Sequence, residues 1–292
     1  MENPYIKETP SEKLVNTKVA EVKSKVQDYK RKNILIDILN LIDLTSLNGT
    51  DTIGKIKSMT EKVNNFSKEF PKYKNVAAIC VYPALVPVVK ENLTDKSVKI
   101  AAVGAGFPAS QTFLSVKAAE CDLTVQKGAD EIDIVLSLGS FLEKDLEKTA
   151  YEVKIIKSAI KEAHLKVILE TGELKTIENI FLASLLSMEA GADFIKTSTG
   201  KTSISATPEA VYTMCSAIKT YYLKTGRKVG IKPSGGMTVA EDALLYYLIV
   251  NEVLGEEWLN NKLFRIGASR LANNLLKDIL SFDKKTDFEG YF

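Results

Sequence analysis

Eight short apolar runs rich in β-branched residues recur along the chain, at 35–44, 76–82, 98–103, 131–136, 165–169, 193–197, 228–232 and 263–267, with segments of helical period between them. Strands that alternate with helices build parallel sheets, because each strand returns to the same edge through a helix that covers one face. Runs as continuous as VAAICVY (76–82) and VKIAAV (98–103) lack the alternation of a half-exposed strand, so both of their faces are expected to be buried. An α/β chain closed as a (β/α)8 TIM barrel meets all of these conditions. A doubly wound sheet is the competing arrangement. Its support is weak, because the compact glycine cluster after an early strand, Gly104-Ala105-Gly106-Phe107-Pro108, lacks the third glycine and has a proline where a dinucleotide-binding helix would start.

Two of the intervening helices can be read in detail. Residues 112–127 carry Phe113, Val116, Ala119, Leu123 and Gln126 at three- and four-residue steps. The segment 207–223 opens Thr207-Pro208-Glu209, with a hydroxyl to accept from the orphan amides, a proline suited to the first helical position and an acid at the positive end. The expected division is a helical extension over 1–34, a barrel over 35–281 and a flexible tail over 282–292. In the extension Val15, Val19, Val22, Val26 and Tyr29 form an apolar stripe at helical spacing, which predicts a helix packed on the barrel exterior or base. The stripe also leaves room for a homodimer contact, although two heptads do not specify one.

Several function classes lose support at this level. A net charge of +2, with only Arg31, Arg227, Arg265 and Arg270 among the 39 basic residues, gives no general attraction to nucleic acid. Cys80, Cys121 and Cys215 match no metal-ligand spacing and His164 is the only histidine, so no metal and no His-based triad is expected, and reduced thiols point to the cytoplasm. No apolar run reaches the ~18 residues of a membrane span, and the N-terminal acids Glu2, Glu8, Glu12 and Glu21 oppose a transit peptide.

Two lysines carry the chemistry. Lys196 in AGADFIKTSTGK and Lys232 in RKVGIKPSGG sit near the ends of consecutive strand runs, each followed by a glycine-bearing turn. A lysine among apolar neighbours is paired or neutral, and the neutral amine is the form that attacks a carbonyl carbon. In a barrel the strand ends meet at one mouth, so a protonated Lys232 close to Lys196 would lower the pKa of Lys196. Period-two alternation in GADEIDIV puts Glu131 and Asp133 on one face, and a carboxylate pointing into a parallel barrel needs a partner; Asp133 with Lys232 could be a structural ion pair or part of a proton relay. The turns Ser198-Thr199-Gly200-Lys201, Ser234-Gly235-Gly236 and Gly267-Ala268-Ser269 follow the last three strands, where glycines let backbone amides approach an anion.

Taken together, FIKTSTGK with ATPEAV downstream, KPSGG with AEDA, GADEIDIV, LETGEL and LFRIGAS resemble the deoxyribose-phosphate aldolase family, class I Schiff-base aldolases on a (β/α)8 barrel, over residues 36–281. The resemblance implies reversible retro-aldol cleavage of a small phosphorylated sugar, 2-deoxy-D-ribose 5-phosphate, in deoxyribose phosphate catabolism, with no cofactor. It gives Lys196 the Schiff base, Lys232 and Asp133 the proton relay, Asp43 in LIDLTSLN and Cys80 in AAICVYP positions in the substrate pocket, and Lys201 a phosphate contact. Thr199, Gly200, Gly235, Gly236, Gly267 and Ser269 complete the expected anion cradle. Two departures stand out: Thr238 in GGMTV replaces a common family arginine, and Arg270 follows GAS where a small polar residue is usual, so Arg270 is expected to supply the missing charge. Tyr291, one position from the end of the chain, is expected to fold back over the barrel mouth as some relatives' terminal tyrosines do. Alternatives are a barrel turned binding protein, which would show no turnover, and another Schiff-base aldolase, which would accept dihydroxyacetone phosphate as donor.

Overall fold

The computed structural model describes residues 8–285 and 287–292; residues 1–7 of the N-terminal extension and Thr286 of the tail lie outside the described residues. Eight parallel strands, β1 (Ile42–Thr45), β2 (Ala78–Val81), β3 (Lys99–Gly104), β4 (Glu131–Val135), β5 (His164–Ile168), β6 (Phe194–Lys196), β7 (Gly230–Lys232) and β8 (Ile266–Ala268), pair in the order β7-β6-β5-β4-β3-β2-β1-β8. The two ends of this order meet through the bridges Ile231↔Phe264 and Ser234↔Gly267, so the sheet closes on itself as a (β/α)8 barrel. The last three strands are only three residues long, which leaves the side chains just beyond them in loops that face the C-terminal mouth.

The strand register is what brings charge together. Lys196 is the direct neighbour of Lys232, Asp133 is the neighbour of Lys166, and Asp43 is the neighbour of Gly267. On β4 the apolar Ile132 and Ile134 join the large core under the helices, while the alternate residues Glu131 and Asp133 point into the barrel, where their partners lie.

Two sequence expectations change. The run 35–44 is not one strand: residues Lys32–Leu39 form a helix that packs against the last helix, Arg270–Ser281, and the strand starts only at Ile42. Leu35, Ile38 and Leu39 are buried at helical steps, and the backbone N–H of Asn40 closes the helix on Ile36. In LIDILNLIDL the polar residues Asp37, Asn40 and Asp43 interrupt a short, mostly apolar run, and a run this short does not separate a buried helix from a strand. The second change is in the helix at 112–127, which spans Leu114–Gln126 and buries Lys117, Cys121 and Thr124, leaving Phe113, Val116, Ala119, Leu123 and Gln126 exposed. Lys117 goes in because Glu152 on the next long helix meets its ammonium at 2.7 Å.

The N-terminal helix Glu12–Lys25 is capped by Ser11, whose side chain accepts from the Leu14 amide, and it buries Val15, Val19 and Val22 against helices Pro208–Thr225 and Ala240–Leu254 on the barrel exterior. Helix Pro208–Thr225 starts at Thr207, whose hydroxyl accepts from the Ala210 amide. Among the described residues no helix is long and apolar enough to cross a membrane.

Candidate active site

The barrel interior holds three carboxylates and four cationic side chains, all nearly inaccessible to solvent. Asp43, Asp133, Lys166 and Lys232 are 0% exposed, Glu131 2%, Lys196 3% and Arg265 4%. Charges this deep persist only if they neutralise one another. Asp133 is the hub: one oxygen accepts from Lys196 Nζ at 2.9 Å and from Lys232 Nζ at 2.8 Å, the other from Lys166 Nζ at 3.0 Å. Lys166 also donates to Glu131 at 2.6 Å, and Arg265 bridges Glu131 (2.8 and 3.2 Å) and Asp43 (2.7 Å). Asp43 Oδ2 lies 2.5 Å from Lys232 Nζ and 3.9 Å from Lys166 Nζ, contacts of charge without hydrogen-bond geometry.

This arrangement divides the lysines. Burial disfavours the ammonium form of all of them. For Lys232, the Asp133 and Asp43 carboxylates overcome burial and hold the pKa above the ordinary lysine value; for Lys166, Asp133 and Glu131 do the same. Lys196 has one carboxylate, already shared with two other cations. Burial, together with the Lys232 ammonium beside it, outweighs Asp133 and drives its pKa down. Asp133 stays well below the usual carboxylate range: burial opposes this, but Lys166, Lys196 and Lys232 together prevail. The site therefore pairs one amine biased toward the free base with one lysine held as a cation, their strand positions in direct register.

Above Lys196 opens a cavity of about 640 Å3. Lys196 reaches its floor, and its walls include Thr199, Gly200, Lys201, Gly235, Gly236, Gly267, Ser269 and Arg270, all named from the sequence. Lys232, Asp133, Asp43 and Cys80 do not line it; they lie in the layer beneath, and burial raises the pKa of the Cys80 thiol. Glycine is required at 235, where φ is +79° and a Cβ would stand 2.5 Å from Ser205 Oγ. The cavity wall continues through Arg270 and Asn273 in the first turn of helix Arg270–Ser281, whose amides and positive dipole end suit an anion. Thr238 and Arg270 both border the cavity, and Lys55 adds a third lysine or arginine side chain beside Lys201 and Arg270.

Tyr291 is placed elsewhere. Its hydroxyl donates to the Lys62 carbonyl at 2.7 Å and its ring packs edge-on to Phe66 and Phe70, so it faces helix Ile53–Glu69 and not the cavity. The terminal residue Phe292 borders the cavity instead. Asn273 fixes this geometry by accepting from the amides of Tyr291 (2.7 Å) and Phe292 (2.8 Å) and donating to the Phe292 carbonyl (3.0 Å). Both terminal rings pack on Phe66, Tyr291 edge-on with its centroid at 5.8 Å and Phe292 stacked at 5.6 Å, and Tyr291 alone of the two also meets Phe70.

Residue-by-residue reading of the sequence left four contributors unassigned. Lys166 lies within an apolar run, Glu131 is marked by the sequence only as sharing Asp133's face, and Arg265 in LFRIGAS and Glu170 in LETGEL carry no local sign of a role. Glu170 is 2% exposed and takes the Thr199 hydroxyl at 2.5 Å and the Thr199 amide at 3.2 Å, which fixes the loop after β6. Period-two alternation from Asp133's strand to its neighbour was the available signal for Lys166.

The DeoC/LacD family aldolase model matches residues 38–251. A Caenorhabditis elegans protein provisionally named a deoxyribose-phosphate aldolase is 43% identical over 263 residues, covering 89% of this chain and 86% of that protein. Human deoxyribose-phosphate aldolase is 41% identical over 255 residues, covering 84% of this chain and 80% of the human one. Among solved structures, a tetrameric deoxyribose phosphate aldolase from Aeropyrum pernix superposes with a TM-score of 0.68 at 25% identity, over 94% of this chain and 99% of that one. With a family match across most of the barrel and relatives of this similarity over most of its length, the chain belongs to the DeoC/LacD family of aldolases.

Proposed function

We propose that this chain is a class I deoxyribose-phosphate aldolase that cleaves 2-deoxy-D-ribose 5-phosphate reversibly to acetaldehyde and D-glyceraldehyde 3-phosphate. The observation that carries the proposal is Lys196: a 3% exposed amine at the floor of a cavity, hydrogen-bonded to Asp133 at 2.9 Å and in register with a second lysine that is held protonated. The free-base Lys196 attacks C1 of the open-chain aldehyde and forms a C–N bond. Asp133, with Lys232 and a water, moves the protons that let the carbinolamine hydroxyl leave as water. The iminium then accepts the electron pair of the C2–C3 bond as the C3 hydroxyl loses its proton. Protonation of the enamine and hydrolysis return Lys196 and release acetaldehyde.

The anion cradle formed by the turns after β6, β7 and β8 takes the phosphate, with Lys201 and Arg270 as its cations, and anchors the other fragment while C2–C3 breaks. Three buried free cysteines are in keeping with a reducing cytoplasm, where we place the chain. The direct test is borohydride reduction in the presence of deoxyribose phosphate, followed by peptide mapping, alongside a coupled assay for acetaldehyde. Label on Lys196 with acetaldehyde release is expected; label on Lys201 or Lys232 refutes the assignment. Turnover with dihydroxyacetone phosphate as donor, and none with acetaldehyde, would identify a different aldolase.

A further inference from the structure

Arg265 stands directly before β8, on the opposite side of the charge cluster from the cavity, and does not border that cavity. Its guanidinium spends its hydrogen bonds on Glu131 and Asp43, and its Nε donates to the Asn261 carbonyl. It cannot touch a substrate seated on Lys196. Its effect on the reaction must run through charge.

The count of charges decides which group gives up a proton. Asp43, Glu131 and Asp133 supply three negative charges, and Lys166, Lys196, Lys232 and Arg265 would supply four positive ones, an excess of one in a region closed to water. A guanidinium does not deprotonate. Lys166 and Lys232 each contact two or more carboxylates, whereas Lys196 contacts Asp133 alone. Lys196 is therefore the cation held least by carboxylates and the one that gives up its proton most readily; with Lys196 neutral, three cations balance three anions. Without Arg265 the same balance is reached with all three lysines protonated, a state in which Lys196 cannot attack a carbonyl.

We propose that Arg265 is a positioning residue for the aldol chemistry: by engaging Glu131 and Asp43 from the far side of the barrel, it leaves Lys196 as the surplus cation and keeps its amine free. The inference rests on the reading of Lys196 as the Schiff-base residue. The charged and titratable groups around Lys196 are Asp133 and Glu131 on β4, Lys166 on β5, Lys232 on β7, Asp43 on β1 and Cys80 on β2. At the cavity mouth Lys201 and Arg270 add positive charge that acts in the same sense as Arg265, but from solvent-facing positions where screening weakens it, while the Lys55 charge is offset by its ion pair with Asp51.

The test is the pH dependence of borohydride trapping on the full-length protein, with acetaldehyde as the probe. Arg265→Met is expected to move the rising limb of trapping to higher pH by about one to two units, so that trapping on the acid side falls about ten- to a hundredfold, while Arg265→Lys keeps the limb in place. Glu131→Gln removes an anion and is expected to move the limb the other way. The double variant Arg265→Met with Glu131→Gln restores an excess of one cation and is expected to bring the limb back to the wild-type position. A structural role alone would lower trapping at every pH and leave the limb where it was, and that result overturns the inference. If Arg265→Met does not fold, a Glu131→Gln limb that coincides with wild type overturns it equally. Wild-type protein that is not labelled on Lys196 overturns the proposed function and this inference together, whereas labelled wild type with unmoved limbs overturns only the inference.

Discussion

Replacing Asp133 by Asn tests the hub of the cluster with a side chain of nearly the same shape. Asp133 accepts from three lysine Nζ atoms at 2.8–3.0 Å and is 0% exposed. Removing one partner of a buried ion pair commonly costs about 3–5 kcal/mol. The low end, about 3 kcal/mol, applies here, because Lys166 keeps Glu131 at 2.6 Å, Lys232 keeps Asp43 at 2.5 Å, and Lys196 is already biased toward the uncharged amine. For a chain of this size that corresponds to a fall in Tm of about 5 °C. The sign with pH follows from Asp133's depressed pKa: its contribution is present above the unfolded carboxylate value near 3.9 and is lost as pH falls through the lower folded value, so the gap in stability between wild type and Asp133→Asn should persist from pH 7 to about 4 and close below it. Turnover should drop by at least about a hundredfold, the scale of a positioned proton-transfer group. Trapping at pH 7 should survive, since loss of the carboxylate lowers the pKa of Lys196 further. Thermal melts at pH 7 and 4, the acetaldehyde assay and borohydride trapping measure these separately. Turnover within tenfold of wild type, or loss of trapping in a folded variant, refutes the relay.

Lys232→Leu should also lower turnover about a hundredfold or more, and it should raise the pKa of Lys196 by removing the neighbouring ammonium, visible as an alkaline shift in trapping; an unchanged limb would show that Lys232 does not set that pKa. Arg270→Ser should weaken use of phosphorylated substrate by about ten- to a hundredfold, the equivalent of a charge-assisted contact of about 1.5–3 kcal/mol, and spare unphosphorylated deoxyribose; an equal loss for both would make Arg270 structural. Tyr291→Phe should leave turnover within about twofold, because the hydroxyl is bonded to the Lys62 carbonyl, and should lower stability by about 0.5–1.5 kcal/mol in a urea titration; a large fall in enamine proton exchange, read as deuterium uptake by acetaldehyde, would show that the tyrosine reaches the site.

The barrel was legible because closure needs only a repeating order of strand and helix, which eight apolar runs supply. Lys196, Lys232 and Asp133 were legible because they sit on strands beside turn-forming glycines or acids, where a buried charge is conspicuous. The rest of the cluster was not. Arg265 meets Glu131 across 134 residues of chain, and Lys166 looks like one polar interruption in an apolar strand. Whether such a residue points inward is decided by register with the neighbouring strand, which local sequence does not encode. The exposed stripe on helix Leu114–Gln126 shows the converse: the buried face of that helix includes Lys117, because an acid on another helix stabilises it there more than apolar spacing could predict. The tail failed for a related reason, since its direction is set by Asn273 and an aromatic shelf far upstream.

The floor and the mouth of the cavity are held by different forces, and this decides where change can be absorbed. The floor residues stand on paired strands, so the separation of Lys196 from Lys232 is set by main-chain hydrogen bonds that no single side chain can shift. The mouth is built on loops, where Lys201 donates to the Leu47 carbonyl at 2.5 Å and Asn274 to the Thr238 carbonyl at 2.6 Å. A cation can move from one loop to its neighbour there without disturbing the amine chemistry below. Thr238 beside Arg270 fits that freedom: an anion held by several amides and more than one cation tolerates relocation of one charge, whereas a proton balance of three against four does not tolerate a change of one.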